Sequence, residues 1–277
     1  MRYNNLDIYS ILKPYVKSIN VEETFNVAND INCFPTIVLP TSTITLLFNY
    51  GDPFIQIKRG QKTILPRFYI AGQMTRSIEI MPVKSARIII VMLYPWAASK
   101  LLPFPINEFT DLNIDLDLVI RSSEVSRIES KLKEAMNLKE RIDIIQDFLL
   151  SLLHEECNRD LIYGSLQKMT YSIGNVKIDL IADNFNVSRR HFMRKFKEKI
   201  GLAPKLYSEL VRFKYAIQYK NQGMDWSDIT FYCGYYDQSH FVKEFKKFTG
   251  VSPQIFFTEY YERVCWTSTP QPQSFFG

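Results

Sequence analysis

The sequence has few of the residues that metal centres and disulfide-bonded scaffolds require. Its four cysteines and three histidines are scattered over 277 residues, no two cysteines form a CxxC pair, and no histidine precedes His154. This distribution disfavours a zinc finger, a disulfide framework and a metal enzyme built on clustered histidines in the N-terminal half. We therefore expect neither a metal site nor a cofactor, and widely spaced free cysteines are typical of a reducing compartment.

Long apolar runs and the common catalytic motifs are missing as well. The longest apolar run, Ile88 to Tyr94, is far shorter than the roughly 20 residues of a membrane-spanning helix and predicts a buried strand instead. The opening residues MRYNNLDIYSILKPYV have no unbroken apolar stretch of the kind found in signal peptides. Gly-rich phosphate loops, nucleophile elbows and Cys–His pairs are also lacking. These absences predict a cytoplasmic protein that is not an enzyme and has no membrane partner.

The positive charge is unevenly distributed along the chain. The protein has 34 Lys and Arg against 29 Asp and Glu, a net charge of +5. Residues 166–263 hold 16 of the basic and 10 of the acidic residues, so the remainder of the chain is slightly acidic. Surplus positive charge on one domain favours a polyanionic partner, because bound phosphates release their counterions.

The first half of the chain predicts an α+β fold that begins with a β domain. From about Phe34 to Met92, short segments rich in β-branched and aromatic residues alternate with Gly, Pro, Asp or Asn: TIVLP, TITLLFNY, PFIQIKR, RFYIAG and RIIIVMLY. Such spacing is typical of an antiparallel β-sandwich or barrel. After Phe104 the segment from DLNIDLDL to LLSLLHEE shows helical periodicity, with an apolar stripe from Ile142 to Leu152. These trailing helices can pack within the chain, which we favour, or against a second copy.

The last third contains an internal repeat. One copy runs from Ile181 to Leu210 and the other from Ile229 to Tyr260. Two phenylalanines, a glycine and a proline recur at an offset of 49 residues: Phe192 and Phe241, Phe196 and Phe245, Gly201 and Gly250, Pro204 and Pro253. The offset before the turn is 48, so the second copy has one extra residue there.

Each copy predicts a helix-turn-helix with a buried aromatic face. Phenylalanines at i and i+4 lie on one side of a helix. Asn186 and Gly234 are suited to the positive φ of a tight turn, and Ser188 and Asp237 to the N-cap of the second helix. Gly201 and Gly250 predict left-handed C-caps, and each proline then starts the next helix. We interpret Ser188 and Asp237 mainly as caps, although a cap beside DNA can also meet a phosphate.

The opposite face of each second helix should then meet solvent or DNA. It carries Arg189, Arg190, Met193, Arg194 and Lys197 in the first copy, and Gln238, Ser239, His240, Lys243, Lys246 and Lys247 in the second. Arg, Gln, Ser and Lys read base edges or hold phosphates. Three of these positions leave alternatives open: Met193 can touch a thymine methyl group or cover the core, and Lys246 and Lys247 can bind phosphate or remain solvated.

The two copies of the repeat contain the segments NVSRRHFMRKFKEKIGLAPKLY and GYYDQSHFVKEFKKFTGVSPQIF. Together they resemble the AraC/XylS family of bacterial transcription regulators, over roughly Gly174 to Tyr261. The resemblance implies seven helices in two subdomains, joined by a long helix at about Pro204 to Tyr219. It also implies recognition helices in successive major grooves of bent promoter DNA, with RNA polymerase as a possible partner. This sequence has Asn186 and Tyr235 at positions where the family frequently has Gly and Phe, respectively. LLFNYGDPF, FYIAGQ and LYPWAASKLL look like the sensing domain often attached to this unit, where an effector or a second copy binds.

We therefore predict a domain of residues 1–155 that binds a small effector or forms a homodimer, a DNA-binding domain of residues 161–263, and a flexible tail of residues 264–277. One alternative is a DNA-binding module attached to an alkyl-transfer enzyme. Such an enzyme needs an activated cysteine, and Cys33 in INCFPT has no basic residue beside it. Another alternative is an N-terminal domain that only oligomerises and binds no ligand.

Overall fold

The computed structural model describes residues 2–24, 34–58, 60–102, 104–153, 161–265 and 267. The predicted α+β class is confirmed, since a β-rich N-terminal part is followed by a helical C-terminal part. Cys33, Cys157, His154 and the segment that joins the two parts, 154–160, lie outside the described residues.

Two antiparallel sheets form the N-terminal domain. Its strands are β1 (Arg2–Tyr3), β2 (Val16–Thr24), β3 (Thr36–Val38), β4 (Ile44–Asn49), β5 (Phe54–Lys58), β6 (Gln61–Ile64), β7 (Phe68–Ala71), β8 (Ile78–Pro82), β9 (Ala86–Leu93) and β10 (Asn113–Asp115). One sheet has the order β1-β2-β9-β4-β7-β10 and the other β3-β8-β5-β6. The sandwich expected from the short strands is therefore present.

The larger sheet is covered on both faces, which explains its unbroken apolar strand β9. Ile88, Ile90 and Met92 of this strand belong to a core shared with residues of β5 and the neighbouring strands. Ile89 and Val91 point the other way, into a core shared with two helices, because successive side chains of a strand alternate between faces. The helices are α2 (Ser122–Glu134) and α3 (Leu138–Ser151), which follow the one-turn helix α1 (Ala98–Leu101). They pair with each other within the chain.

Two sequence expectations were wrong in this domain. Strand β2 lies before Phe34, where no strand was predicted, and a register shift between Val16 and Ser18 breaks the alternation that marks a strand. The segment expected to be helical begins instead with strand β10, paired to β7, and a 3-10 turn at Leu116–Leu118. Its apolar residues recur at every second position, which is the period of a strand rather than that of a helix.

Seven helices form the described C-terminal domain: α4 (Leu161–Tyr171), α5 (Ile178–Asn184), α6 (Arg189–Ile200), α7 (Pro204–Asn221), α8 (Trp226–Tyr232), α9 (Gln238–Thr249) and α10 (Pro253–Ile255), which continues as a π-helical turn. The long connecting helix predicted from Pro204 ends two residues later than expected, at Asn221. Phe192, Phe196, Phe241 and Phe245 are all fully buried, so the predicted aromatic core is confirmed.

The helical core also includes residues of the sandwich. Ile37 and Leu39, in and just after β3, pack into the same cluster as the recognition-helix phenylalanines. Val264 bridges to Ile37 and the Cys265 amide donates to the Ile37 carbonyl at 2.6 Å. These two residues were expected to begin a flexible tail, and the structure instead holds them against the sandwich because β3 has a free edge there. In the parts of the chain that are described, no helix is both long and apolar enough to cross a membrane.

Candidate nucleic-acid interface

Helices α5 and α6 form the first helix-turn-helix. Asn186 in the turn has φ of 52°, the left-handed conformation that asparagine tolerates better than most residues. The Ser188 hydroxyl accepts a hydrogen bond from the His191 amide at 3.2 Å and so caps α6. Both features were predicted from the repeat, and together they determine where the recognition helix begins.

Helices α8 and α9 form the second helix-turn-helix in the same way. The Asp237 carboxylate accepts from the His240 amide at 2.7 Å and caps α9. Gly234 in the turn has φ of 67°, and a Cβ atom there would lie 2.0 Å from Nδ2 of Asn175. Asn175 in turn donates to the Cys233 carbonyl at 3.1 Å. A side chain from the segment between α4 and α5 therefore holds the turn of the second unit.

Both recognition helices end in the predicted left-handed glycine. Gly201 has φ of 92° and Gly250 has φ of 85°. Packing favours glycine here as well, because a Cβ atom at Gly201 would lie 3.1 Å from Cγ of Gln73 and 3.3 Å from Cγ2 of Ile106, both in the N-terminal domain. The Thr110 hydroxyl also donates to the Gly201 carbonyl at 2.7 Å. The C-terminal end of α6 is thus docked on the sandwich domain.

The predicted contact residues all lie on the exposed faces of α6 and α9. Exposed on α6 are Arg189, Arg190, Met193, Arg194 and Lys197, and exposed on α9 are Gln238, Ser239, His240, Lys243, Lys246 and Lys247. Met193 is 41% exposed, so its side chain reaches solvent rather than filling the core. The two faces are strongly basic and are available to a polyanion.

The ion pairs on α6 leave its basic face available. Arg189 lies 3.2 Å from Asp179, and Arg194 lies 3.5 Å from Glu198 on its own helix. These side chains are at least one-third exposed, and such surface pairs contribute little and are readily exchanged for a phosphate. Within the described residues, Arg190 and Lys197 form no ion pair at all.

On α9 the predicted residues divide into two groups. Gln238, Ser239, Lys243 and Lys246 line a shallow depression of about 480 Å3 together with Val242. Lys247 and His240 are instead turned toward neighbouring carboxylates. The Lys247 ammonium pairs with Glu209 of α7, and His240 Nε2 lies 3.8 Å from Glu244. The two lysines therefore have different surroundings, because Lys246 lines the depression and Lys247 pairs with Glu209 of α7.

A buried ion pair fixes α9 relative to the connecting helix. Arg212 of α7 donates to both carboxylate oxygens of Glu244, at 3.1 and 2.7 Å, and also to the Gly174 carbonyl at 3.2 Å. The two side chains are only 14% and 5% exposed. The guanidinium stacks over the ring of Tyr235, which follows the turn glycine. This pair was not identified from the sequence, where Glu244 is one acidic residue in a basic helix.

The sequence also did not single out three exposed aromatic residues beside α9. Tyr236, directly before the Asp237 cap, is 93% exposed, and Phe231 and Tyr232 at the end of α8 are 78% and 56% exposed. An aromatic residue in this repeat could equally belong to the core. Only the turn geometry, which directs Tyr235 inward and Tyr236 outward, distinguishes them.

Comparisons with known proteins agree with this architecture. Residues 181–259 match a family model described as a helix-turn-helix domain, and residues 10–115 match one described as a domain of unknown function. The chain is 30% identical over 82 residues to the HTH-type transcriptional activator RhaS of Escherichia coli O1:K1, an overlap of 28% of this chain and 29% of RhaS. The chain therefore spans just under a third of the length of the curated relatives that it matches.

Among solved structures, the chain is matched to ToxT from Vibrio cholerae, with a TM-score of 0.48 and 12% identity over 86% of this chain and 97% of ToxT. The AraC-like transcriptional activator CuxR has a TM-score of 0.26 and 10% identity over 80% of this chain and 96% of CuxR. The matched helix-turn-helix domain, its RhaS relatives and the two capped recognition helices agree with one another. The C-terminal domain is therefore similar, over residues 181–259, to the helix-turn-helix domain found in transcriptional activators such as RhaS.

Proposed function

We propose that this protein is a sequence-specific regulator of transcription that binds promoter DNA with α6 and α9 in successive major grooves. The observation that carries the proposal is the pair of recognition helices with matching caps, whose exposed faces hold the eleven predicted contact residues. Guanidinium groups prefer guanine edges and amides prefer adenine. Arg194 is therefore assigned to one half of the site and Gln238 to the other.

The N-terminal domain is proposed to control this binding, in the cytoplasm, through a small ligand, a homodimer or both. Support comes from its contacts with both recognition units. The Ile106–Phe109 turn and α1 contact α6, while the Ser77 amide donates to the Phe248 carbonyl of α9 at 2.7 Å. A change in the sandwich domain can therefore reach both DNA-binding helices. RNA polymerase is proposed as the further partner through which the regulator acts.

The structure offers little to support an alkyl-transfer enzyme. Of the cysteines in the described residues, Cys233 and Cys265 are both buried. Burial raises the pKa of Cys233 to about 12, which leaves almost no thiolate at neutral pH. A thiol-alkylation assay on the folded protein tests this rival, because an enzyme of this kind needs one cysteine that reacts rapidly under native conditions.

The proposed readout is tested by selecting DNA sites with the full-length protein and with Arg194→Ala and Gln238→Ala. Each variant should lose base preference in a different half of the site, separated by about ten base pairs, with a cost of roughly 1–3 kcal/mol. Arg127→Ala and Gln61→Ala, both exposed and in the N-terminal domain, are matched controls that should leave the preference unchanged. Loss of preference at the same positions in both test variants would refute the two-groove arrangement.

A further inference from the structure

Each recognition helix has one apolar side chain that is not buried. The structure describes both helices over their full length, and their phenylalanines and Ile200 are all buried. The two exceptions are Met193 on α6, which is 41% exposed, and Val242 on α9, which is half-buried. They lie 49 residues apart, which is the offset that relates the two copies of the repeat after the turn. The two apolar side chains therefore occupy equivalent positions on the two helices.

On α9 this apolar position is surrounded by polar groups. Val242 lines the depression of about 480 Å3 together with Gln238, Ser239, Lys243 and Lys246. Gln238, Val242 and Lys246 are spaced by four residues, so their side chains form one row along the helix. The depression therefore offers an apolar surface between hydrogen-bond donors, on the face of α9 that is assigned to base readout.

The Val242 side chain is held in position by the protein itself. It packs against the buried cluster that contains Phe241 and Phe245. A valine in a helix also has one strongly preferred rotamer. The exposed part of Val242 is thus already positioned, and little side-chain entropy is lost when a base packs against it.

Among the bases, thymine presents the groups that match this surface. In the major groove it offers a C5-methyl group and the O4 acceptor, whereas guanine offers two acceptors and no methyl group. Cytosine offers an amino donor, which the ammonium group of Lys243 cannot accept. Val242 and Lys243 are neighbours in the wall, so one can cover the methyl group while the other donates to O4. The depression is therefore complementary to thymine.

We propose that Val242 reads thymine by covering its C5-methyl group, and that Met193 does the same in the other half of the DNA site. This inference rests on the proposed function and adds Val242 to the residues that determine its specificity. Val242 lies one helical turn, about 6 Å, from Gln238, and base pairs stack about 3.4 Å apart. Its thymine should therefore lie within about two base pairs of the adenine assigned to Gln238, and the second thymine about ten base pairs away.

The test replaces single thymines by deoxyuridine, which removes the C5-methyl group and leaves base pairing unchanged. DNA sites are first selected with the full-length protein, and each thymine of the selected site is then replaced in turn. At one thymine in each half of the site, the replacement should weaken binding about fourfold, because one methyl group less is removed from water. Binding titrations with each DNA measure the effect.

Alanine variants assign the two thymines to their side chains. Val242→Ala should remove the difference between thymine and deoxyuridine only in the half read by α9, and Met193→Ala only in the half read by α6. Val83→Ala and Met136→Ala are matched controls in the N-terminal domain, where these residues are 42% and 87% exposed, and both should keep the two differences. Because two DNAs are compared with the same protein, any loss of stability in a variant cancels.

A purely structural role for Val242 predicts a different result. Val242→Ala would then weaken binding to both DNAs equally and leave the deoxyuridine effect in place, which would overturn the proposal. A selected site that tolerates deoxyuridine at every thymine would also overturn it, while the DNA-binding function would stand. Failure of the full-length protein to select any DNA sequence would instead overturn the proposed function, and the thymine readout with it.

Discussion

The Arg212–Glu244 ion pair allows a quantitative prediction about how α9 is held. Replacing Arg212 by Met leaves the Glu244 carboxylate, which is 5% exposed, without the two hydrogen bonds that it accepts at 3.1 and 2.7 Å. Removing one partner of a buried pair costs about 3–5 kcal/mol, because the other charge stays desolvated. His240 lies 3.8 Å from the same carboxylate and is 46% exposed, so it can supply partial compensation. We therefore expect a loss near the lower limit, about 3 kcal/mol.

The double variant Arg212→Met/Glu244→Leu separates this penalty from the value of the pair. Two apolar side chains of similar size remove both charges, and such replacements are often neutral or stabilising. The free energy of unfolding should return to within about 1.5 kcal/mol of the wild type, so the coupling in the double-mutant cycle should be at least about 1.5 kcal/mol plus whatever Glu244→Leu alone costs. Urea denaturation followed by circular dichroism measures all four proteins. The reasoning is refuted if the double variant is destabilised by the sum of the two single changes.

The same cycle has a functional readout. Because Arg212 and Glu244 face away from the exposed side of α9, neither should contact a base. Arg212→Met should weaken base preference only in the half of the site assigned to Gln238, through the loosened position of α9. The double variant should recover that preference if the Arg212–Glu244 pair acts by positioning α9 rather than through its charges.

Three further predictions concern other parts of the chain. Burial, with a smaller contribution from Lys17, holds the pKa of Lys214 well below its usual range. The unfolded chain therefore binds more protons than the folded chain, and the stability of the wild type should rise with pH. The rise should end above about 10.5, where Lys214 is deprotonated in both states. Lys214→Met should therefore be more stable at pH 7 by over about 1 kcal/mol and show a flatter pH profile in urea titrations. Gly234→Ala should lower the free energy of unfolding by about 1–3 kcal/mol, because Gly234 has a positive φ and an added Cβ atom would clash with Asn175. Gly223 is the control, because it has φ of 87° but a Cβ atom there would meet open space. If Gly223→Ala lost as much stability as Gly234→Ala, the steric part of this explanation would be contradicted. The logarithm of DNA affinity should fall linearly with the logarithm of salt concentration, with a slope of about −0.9 per phosphate contacted, and a salt-independent affinity in titrations would contradict the role of the basic faces.

Local signals in the sequence were sufficient to predict both helix-turn-helix units. Ser188 and Asp237 act on amides three residues away, and Gly201 adopts the left-handed turn demanded by its own backbone. Interactions of this range depend on neighbouring residues alone, so the repeat determined the caps, the boundaries and the exposed faces. Strands β3, β4, β5, β7 and β9 were predicted from their β-branched and aromatic residues, whereas β2 was missed where the register shift breaks the alternation, and β10 was assigned to a helical segment although its apolar residues alternate.

What the local signals could not supply is how the two domains meet. The Ser77 amide donates to the Phe248 carbonyl, β3 completes the helical core, and Arg263 pairs with Glu79; all three join residues more than a hundred positions apart. Such contacts leave no periodic trace, because each depends on the packing of whole sheets against whole helices rather than on the spacing of residues along one element. The sequence alone therefore determined which surfaces can meet DNA, whereas the tertiary structure decided how the sandwich domain contacts and positions them.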